Sequence, residues 1–328
     1  MSPTVTLERA AAASAGEYAA TVLARHEATA TELGGALVDA VDDPAAFAAN
    51  LAAAFRAVAD PEYKDGQQWV APGIGPTHGV RTPLQVAIRR AFEKASRKTS
   101  SSELLHVADR LLHEPEREAR WFAIATLQRT LASEPERTWQ LLRRAAAEAD
   151  DWITVDNLAH PYGKGILAEP YRWAELEQLT VSPSRWERRL VGSTIATMPF
   201  VNRSAGRAPE VTQHALPLLA VLMGDAEPDV QKALAWAYRS MAVVDLDATT
   251  AALEHQVGIA RANGDGHRAW VVRDALQKLR PEDAARIRSQ LEGIRRRAGA
   301  AATSEAAELA NRFAGMGLGR HMPEPPLT

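Results

Sequence analysis

Sixty-four of the 328 residues are alanine, while only 6% are aromatic. No other feature constrains the fold as strongly. Alanine has the best intrinsic helix propensity and lets helix axes approach closely. So few aromatics cannot fill a thick sheet core, but they suffice to plug gaps between stacked helices. Cysteine is absent, which excludes disulfides, iron–sulfur clusters, cysteine-ligated zinc and thiol nucleophiles. The longest apolar runs fall far short of the ~20 residues of a membrane helix. The N-terminus shows no basic segment followed by an apolar core. A soluble, cytoplasmic chain without membrane association is expected.

Helical segments recur at short intervals. Residues 5–58 read as Ala-rich helices with breaks at Gly34-Gly35 and at Asp42-Asp43-Pro44, the last an N-cap followed by a first-turn proline. Residues 61–83, with Trp69-Val70-Ala71-Pro72-Gly73-Ile74-Gly75-Pro76, read as a loop with specific turn chemistry. Beyond it, amphipathic helices follow one another. Asp150-Asp151 caps a short segment, Trp152 to Ala159, which His160-Pro161 and Gly163/Gly165 are expected to break. Helices are then expected over about 170–180, 184–198, 209–223, 227–242, 247–262, 266–279, 281–298 and 303–314, with a frayed tail from Gly315. Segments around Trp121, Thr154, Arg188, Gln231 and Trp270 recur every roughly 34 to 43 residues, in the range of HEAT and armadillo repeats. The fold class expected is all-α, a HEAT-like helical-repeat solenoid with a concave groove. Its expected divisions are an acidic Ala-rich extension over 1–58, a repeat domain over 59–298, and a C-terminal helix and tail over 299–328.

The net charge of −3 gives no global reason to expect nucleic acid. Its distribution is uneven. Residues 1–60 hold eight acids and three bases, which leaves 35 bases against 33 acids in the rest. Residues 81–98 carry Arg81, Arg89, Arg90, Lys94, Arg97 and Lys98 against Glu93 alone, either a solvated helix face or a basic patch. No GxSxG, Walker loop, HExxH or Rossmann fingerprint is present. The nine histidines include no pair at i, i+4, so no metal site is expected. His160 reads as a turn residue.

Three clusters stand out. Trp152 and Asp156 are four apart and share a helix face. Trp186-Glu187-Arg188-Arg189 forms the second. In Gln231-Lys232-Ala233-Leu234-Ala235-Trp236-Ala237-Tyr238-Arg239, Trp236 and Arg239 share a face. Taken singly, each tryptophan reads as inter-helix filling, Asp156 as a cap or surface acid, and each arginine as a surface cation. On successive repeats they could instead meet on one face. There a carboxylate between two indoles would suit a developing cation, and guanidiniums beside it would hold phosphates.

The order and separation of Asp151-Trp152-Ile153-Thr154-Val155-Asp156, Ser184-Arg185-Trp186-Glu187-Arg188-Arg189 and Gln231 to Arg239 resemble the AlkD-like family of DNA alkylation repair proteins. These are HEAT-like-repeat glycosylases that excise alkylated purines. The Gly73-Ile74 loop followed by Arg81 fits an early segment of the same family. The resemblance covers about residues 60–280. It implies catalytic roles for Trp152, Asp156 and Trp236, DNA-backbone contacts by Arg189 and Arg239, and further phosphate contacts by Lys232 and Arg188. It also implies no cofactor and no metal, a monomer, and a duplex partner bearing N3- or N7-alkylated purines, whose lesion is not flipped into a pocket as is usual for glycosylases. Methyl lesions and the bulky adducts of natural products, the latter a matter of self-resistance, are both compatible with it. The alternative from a different class is a non-catalytic HEAT-repeat module that binds DNA or protein.

Overall fold

The structure is a computed structural model that describes residues 14–315. The expected start of the first helix and the tail beyond residue 315 lie outside the described residues. Among the described residues there are 16 α-helices and five short 3-10 turns, with no strand, so the chain is all-α as its alanine content requires. No helix among them is long and apolar enough to cross a membrane. The chain forms two compact units, residues 1–143 and 144–328.

The first unit holds α1 (Ala15–Ala36), α2 (Pro44–Ala57), α3 (Pro61–Val70), α4 (Thr82–Ala95), α5 (Ser101–Leu112), α6 (Arg117–Thr130) and most of α7 (Pro135–Ala147). Asp43 caps α2 through the N–H groups of Ala45 and Ala46, with Pro44 in the first turn as expected. Helix α1 ends at Ala36, one residue after the expected break at Gly34-Gly35; Gly34 is also where α1 meets α4, since a Cβ there would lie 2.3 Å from the Ile88 carbonyl oxygen. One other expectation fails. Residues 61–70 are helical rather than loop, because Asp60 caps the Glu62 N–H and Pro61 starts the turn. Only 71–81 is irregular, with Gly73, Gly75 and Gly79 at positive φ. The Glu118 carboxylate fastens that loop by accepting the N–H groups of His78, Gly79 and Val80. Phe47, Phe92 and Phe122 join α2, α4 and α6 in one core cluster. Since α1 and α2 pack within this unit, the segment 15–57 is part of its core.

The second unit holds α8 (Trp152–Ala168), α9 (Trp173–Gln178), α10 (Arg185–Val201), α11 (Pro209–Leu222), α12 (Pro228–Val244), α13 (Leu246–Asn263), α14 (Gly266–Ala275), α15 (Pro281–Gln290) and α16 (Glu305–Gly315). Helices α8, α10, α12 and α14 lie side by side in one row, and α11, α13 and α15 form a second row behind it. This is the two-layer stacking of a helical repeat. Helix α10 sits between α8 and α12, and every residue from Arg189 to Pro199 is buried. Small residues set the spacing. A Cβ on Gly192 would lie 2.9 Å from the Ala233 carbonyl carbon of α12, and one on Gly163 would lie 3.3 Å from the Thr197 hydroxyl of α10.

That packing overrides the expected break at His160-Pro161. Proline removes one backbone hydrogen bond and crowds the carbonyl four residues back. Yet α8 runs on to Ala168 with Pro161 buried inside it, because α10 holds it on both sides of the proline. The Thr197 hydroxyl donates to the Ala159 carbonyl at 3.0 Å, and Gly163 packs close against the same threonine. In the opposite direction, the helix expected over 281–298 stops at Gln290. Gly293 at φ 80° turns the chain, and Arg273 of α14 donates to the carbonyls of Leu291 and Ile294. The segment that follows is pinned by Asp265, the N-cap of α14. Its carboxylate accepts the Arg268 N–H, the Arg268 guanidinium and the Thr303 hydroxyl.

Two glycines give opposite expectations. Gly192→Leu drives a side chain into the α12 backbone and should destabilise the protein by about 1–3 kcal/mol, read as a lower urea midpoint. Gly258 in α13 has nothing within 4 Å of an added Cβ, so Gly258→Ala should raise stability by about 0.5–1 kcal/mol. Asp265 adds a pH dependence. Burial raises its pKa, but the Arg268 N–H, the Thr303 hydroxyl and the Arg268 side chain outweigh it and hold the carboxyl below its ordinary value. A depressed folded-state pKa contributes stability that is present above the unfolded-state value and is lost as pH falls through the folded one. Asp265→Asn should therefore flatten the acid limb of a stability–pH curve measured by denaturant titration from pH 6 to pH 2.

Candidate functional site

The site is built on the outward faces of the front row. Asp151 ends the preceding turn and caps α8 by accepting the Thr154 N–H at 2.8 Å. That start sets the phase of the helix, so that Trp152, Asp156 and His160 fall four apart on one partly exposed face. Ser184 caps α10 in the same way through the Trp186 N–H, which places Arg189 and Ser193 one turn apart and facing α8. On α12, Asp229, Lys232, Trp236, Arg239 and Val243 follow the 3,4 spacing of one face. All five escape full burial, while Val230, Ala233, Leu234 and Ala237 beside them are core.

Arg189 ties the three helices together. Its Nε donates to Asp156 Oδ1 at 3.2 Å and its Nη2 to Asp156 Oδ2 at 2.8 Å. Its Nη1 donates to the Asp229 carbonyl at the start of α12, at 2.7 Å. Its guanidinium carbon stands 5.9 Å from the centre of the Trp152 ring. The Ser193 hydroxyl donates to Asp156 Oδ1 at 2.7 Å. Asp156 is thus fixed by three donors. Its Oδ1 is doubly engaged, and its Oδ2 accepts one bond and keeps a lone pair. The Asp156 side chain is 24% exposed against 7% for Arg189, so the open side of the pair belongs to the carboxylate.

The remaining expected residues are placed differently from one another. Arg239 donates to the carbonyl and carboxylate of Asp274 on α14 at 3.0 and 2.6 Å. Arg188 is held by Asp225 at 2.7 Å and by the Ser182 and Pro183 carbonyls. Lys232 is exposed and has no partner among the described residues. Trp236 lies one turn beyond Lys232, half-buried on the same face. The structure pairs Asp156 with Arg189, sets the Arg189 guanidinium over the Trp152 ring, and puts Lys232, Trp236 and Arg239 in line on α12. Among the described residues no group of His, Asp and Glu side chains is arranged to hold a metal ion.

Three participants were not identified from the sequence. Ser193 had a usable signal, since it falls one turn after Arg189. Asp274 and the Asp229 carbonyl had none, because nothing local relates a residue on one helix to its partner on the next. His160 stands in mid-helix, one turn from Asp156, and not in a turn. Burial lowers its pKa and the Asp156 charge opposes that shift.

The helical repeat carries an ion-paired carboxylate and an indole on α8, and a second indole with Lys232 and Arg239 on a partly exposed face of α12. Residues 51–279 match the family described as DNA alkylation repair enzyme, and the chain belongs to that family. No curated protein matches the chain.

The Asp156–Arg189 contact should behave as a coupled unit. Removing one partner of a nearly buried ion pair leaves the other uncompensated, at a cost of about 3–5 kcal/mol. Arg189→Gln should therefore be strongly destabilising, and much less so when Asp156→Asn is already present. A double-mutant cycle in urea should give an interaction energy of about 1–3 kcal/mol.

Proposed function

We propose that the protein is a DNA glycosylase that hydrolyses the N-glycosidic bond of cationic N3- or N7-alkylpurines in duplex DNA without flipping the base. The observation that carries this reading is the carboxylate of Asp156, held by Arg189 and Ser193 and open on one oxygen, beside the Trp152 indole. Family membership points to DNA, the site chemistry supports cleavage of a cationic glycoside, and the unflipped base follows the family resemblance.

An alkylated purine already carries positive charge, so its bond to the sugar is weak. When that bond breaks, the base departs as a neutral molecule with the bonding electron pair, and positive charge grows on the deoxyribose. Asp156 Oδ2 stabilises this charge and accepts a hydrogen bond from the attacking water. The water oxygen bonds to the anomeric carbon and its proton is lost to solvent. The leaving base needs no protonation, so the mechanism requires no general acid. Trp152 and Trp236 pack on sugar and backbone, exclude bulk water and attract the developing cation through their ring faces.

Arg189 spends all its side-chain nitrogens within the protein, so we assign it first to holding Asp156. Lys232 is the cation best placed for a backbone phosphate. Arg239 and Arg188 keep one terminal nitrogen each for the same purpose.

Base release from methylated duplex DNA tests the reading. Wild-type protein should free 7-methylguanine or 3-methyladenine, detected chromatographically. Asp156→Asn should slow release by about a hundredfold to a thousandfold with duplex binding retained. Duplex binding without release from either methylated or bulky-adducted DNA would replace the enzyme with a non-catalytic helical-repeat binding module.

A further inference from the structure

Beyond the front-row site, an open cavity of about 820 Å³ lies between α14, α15 and the segment 291–297. Trp270 and Arg273 of α14, Arg288 of α15, and Arg295 and Arg296 of the segment line it, with Glu292 as its one acid. None of these four arginines is ion-paired among the described residues. Arg286 on α15 pairs with Glu254 and Asp283, and Arg280 pairs with Asp247. Arg288, on the same helix as Arg286, turns to the cavity instead. Burial, and then the charge of Arg295, push the Arg273 guanidinium below its ordinary value, as expected where positive charges crowd together without a counterion.

Two of the four arginines have structural duties. Arg273 closes the end of α15 through the Leu291 and Ile294 carbonyls. Arg296 donates to the buried Gln231 side chain at 2.8 Å and stacks 5.4 Å from the centre of the Trp270 ring. Arg288 and Arg295 are exposed and carry no such duty.

The cavity shares helices with the candidate site. Arg296 donates to Gln231, which is buried on α12, the helix that carries Lys232. Arg273 lies on α14, the helix whose Asp274 receives Arg239.

We propose that this cavity seats backbone phosphates of duplex DNA to one side of the lesion, with Arg288 and Arg295 as the phosphate-contacting groups. This rests on DNA being the substrate of the front-row site. Guanidiniums match phosphate geometry bidentately, and an open cavity of this size suits a length of strand better than a single small anion. The family match ends at residue 279, so Arg288, Arg295 and Arg296 lie beyond it. Trp270 and Arg273 lie within the matched residues.

The test is the salt dependence of binding to an undamaged duplex, measured on the full chain between 50 and 200 mM salt. Each neutralised phosphate contributes about 0.9 to the slope of log K against log salt. The double variant Arg288→Ala/Arg295→Ala should lower that slope by about 2, while Arg288→Lys/Arg295→Lys should keep most of it. Both side chains are exposed, so thermal melting should be unchanged and serves as the folding control. A double-alanine slope equal to wild type overturns the seat, whether or not the protein releases alkylated bases. A reduced slope in a protein whose wild type releases no base supports the seat and removes only the glycosylase reading.

Discussion

The second unit depends on one guanidinium. Arg189 lies on the most buried helix of the front row, and its nitrogens reach α8 through Asp156 and α12 through the Asp229 carbonyl. Leaving such a group unpaired inside the protein would cost several kcal/mol. The spacing of the three helices is therefore linked to the position of the Asp156 carboxylate. Gly192 and Gly163 make the linkage possible, since larger residues would hold the helices too far apart for one side chain to bridge both neighbours. Stability and site geometry are the same set of contacts here. A carboxylate locked this way needs little reorganisation when charge develops next to it.

A chain with a net charge of −3 can still bind a polyanion, because net charge is an average over surfaces that do not all meet the ligand. Many arginines of the second unit are neutralised locally, Arg188 by Asp225, Arg239 by Asp274 and Arg286 by Glu254 and Asp283. These pairs organise the fold and add little to the field outside. Among the described residues, Lys232 and the arginines beside Trp270 have no ion-pair partner, as is also true of exposed cations elsewhere in the unit such as Lys164, Arg203 and Arg261. Much of the excess acid lies in residues 1–60, within the other compact unit.

Parts of the fold were legible because their causes are local. Asp43-Pro44, Asp151 and Ser184 each start a helix where their side chains can accept a backbone N–H, and no distant residue is needed. The 3,4 spacing put Trp152 with Asp156, and Lys232 with Trp236 and Arg239, on common faces. The errors came where a distant surface outweighed a local preference. Pro161 should break a helix, but α10 holds α8 on either side of it. Residues 291–298 have helix-forming composition, yet Gly293 and Arg273 redirect them.

By itself the sequence determined that the chain is all-α, where most helices begin, and which residue types lie on each face. Alanine content, caps and periodicity act within a few residues and can be read in one dimension. Only the tertiary structure decided that Arg189 points inward to hold Asp156, that Ser193 completes that hold, and that Arg239 is matched to Asp274. The partners in each pair sit on different helices, more than thirty residues apart in all three. Their meeting is set by how closely the helix axes approach, a property of packing between elements that no single helix encodes.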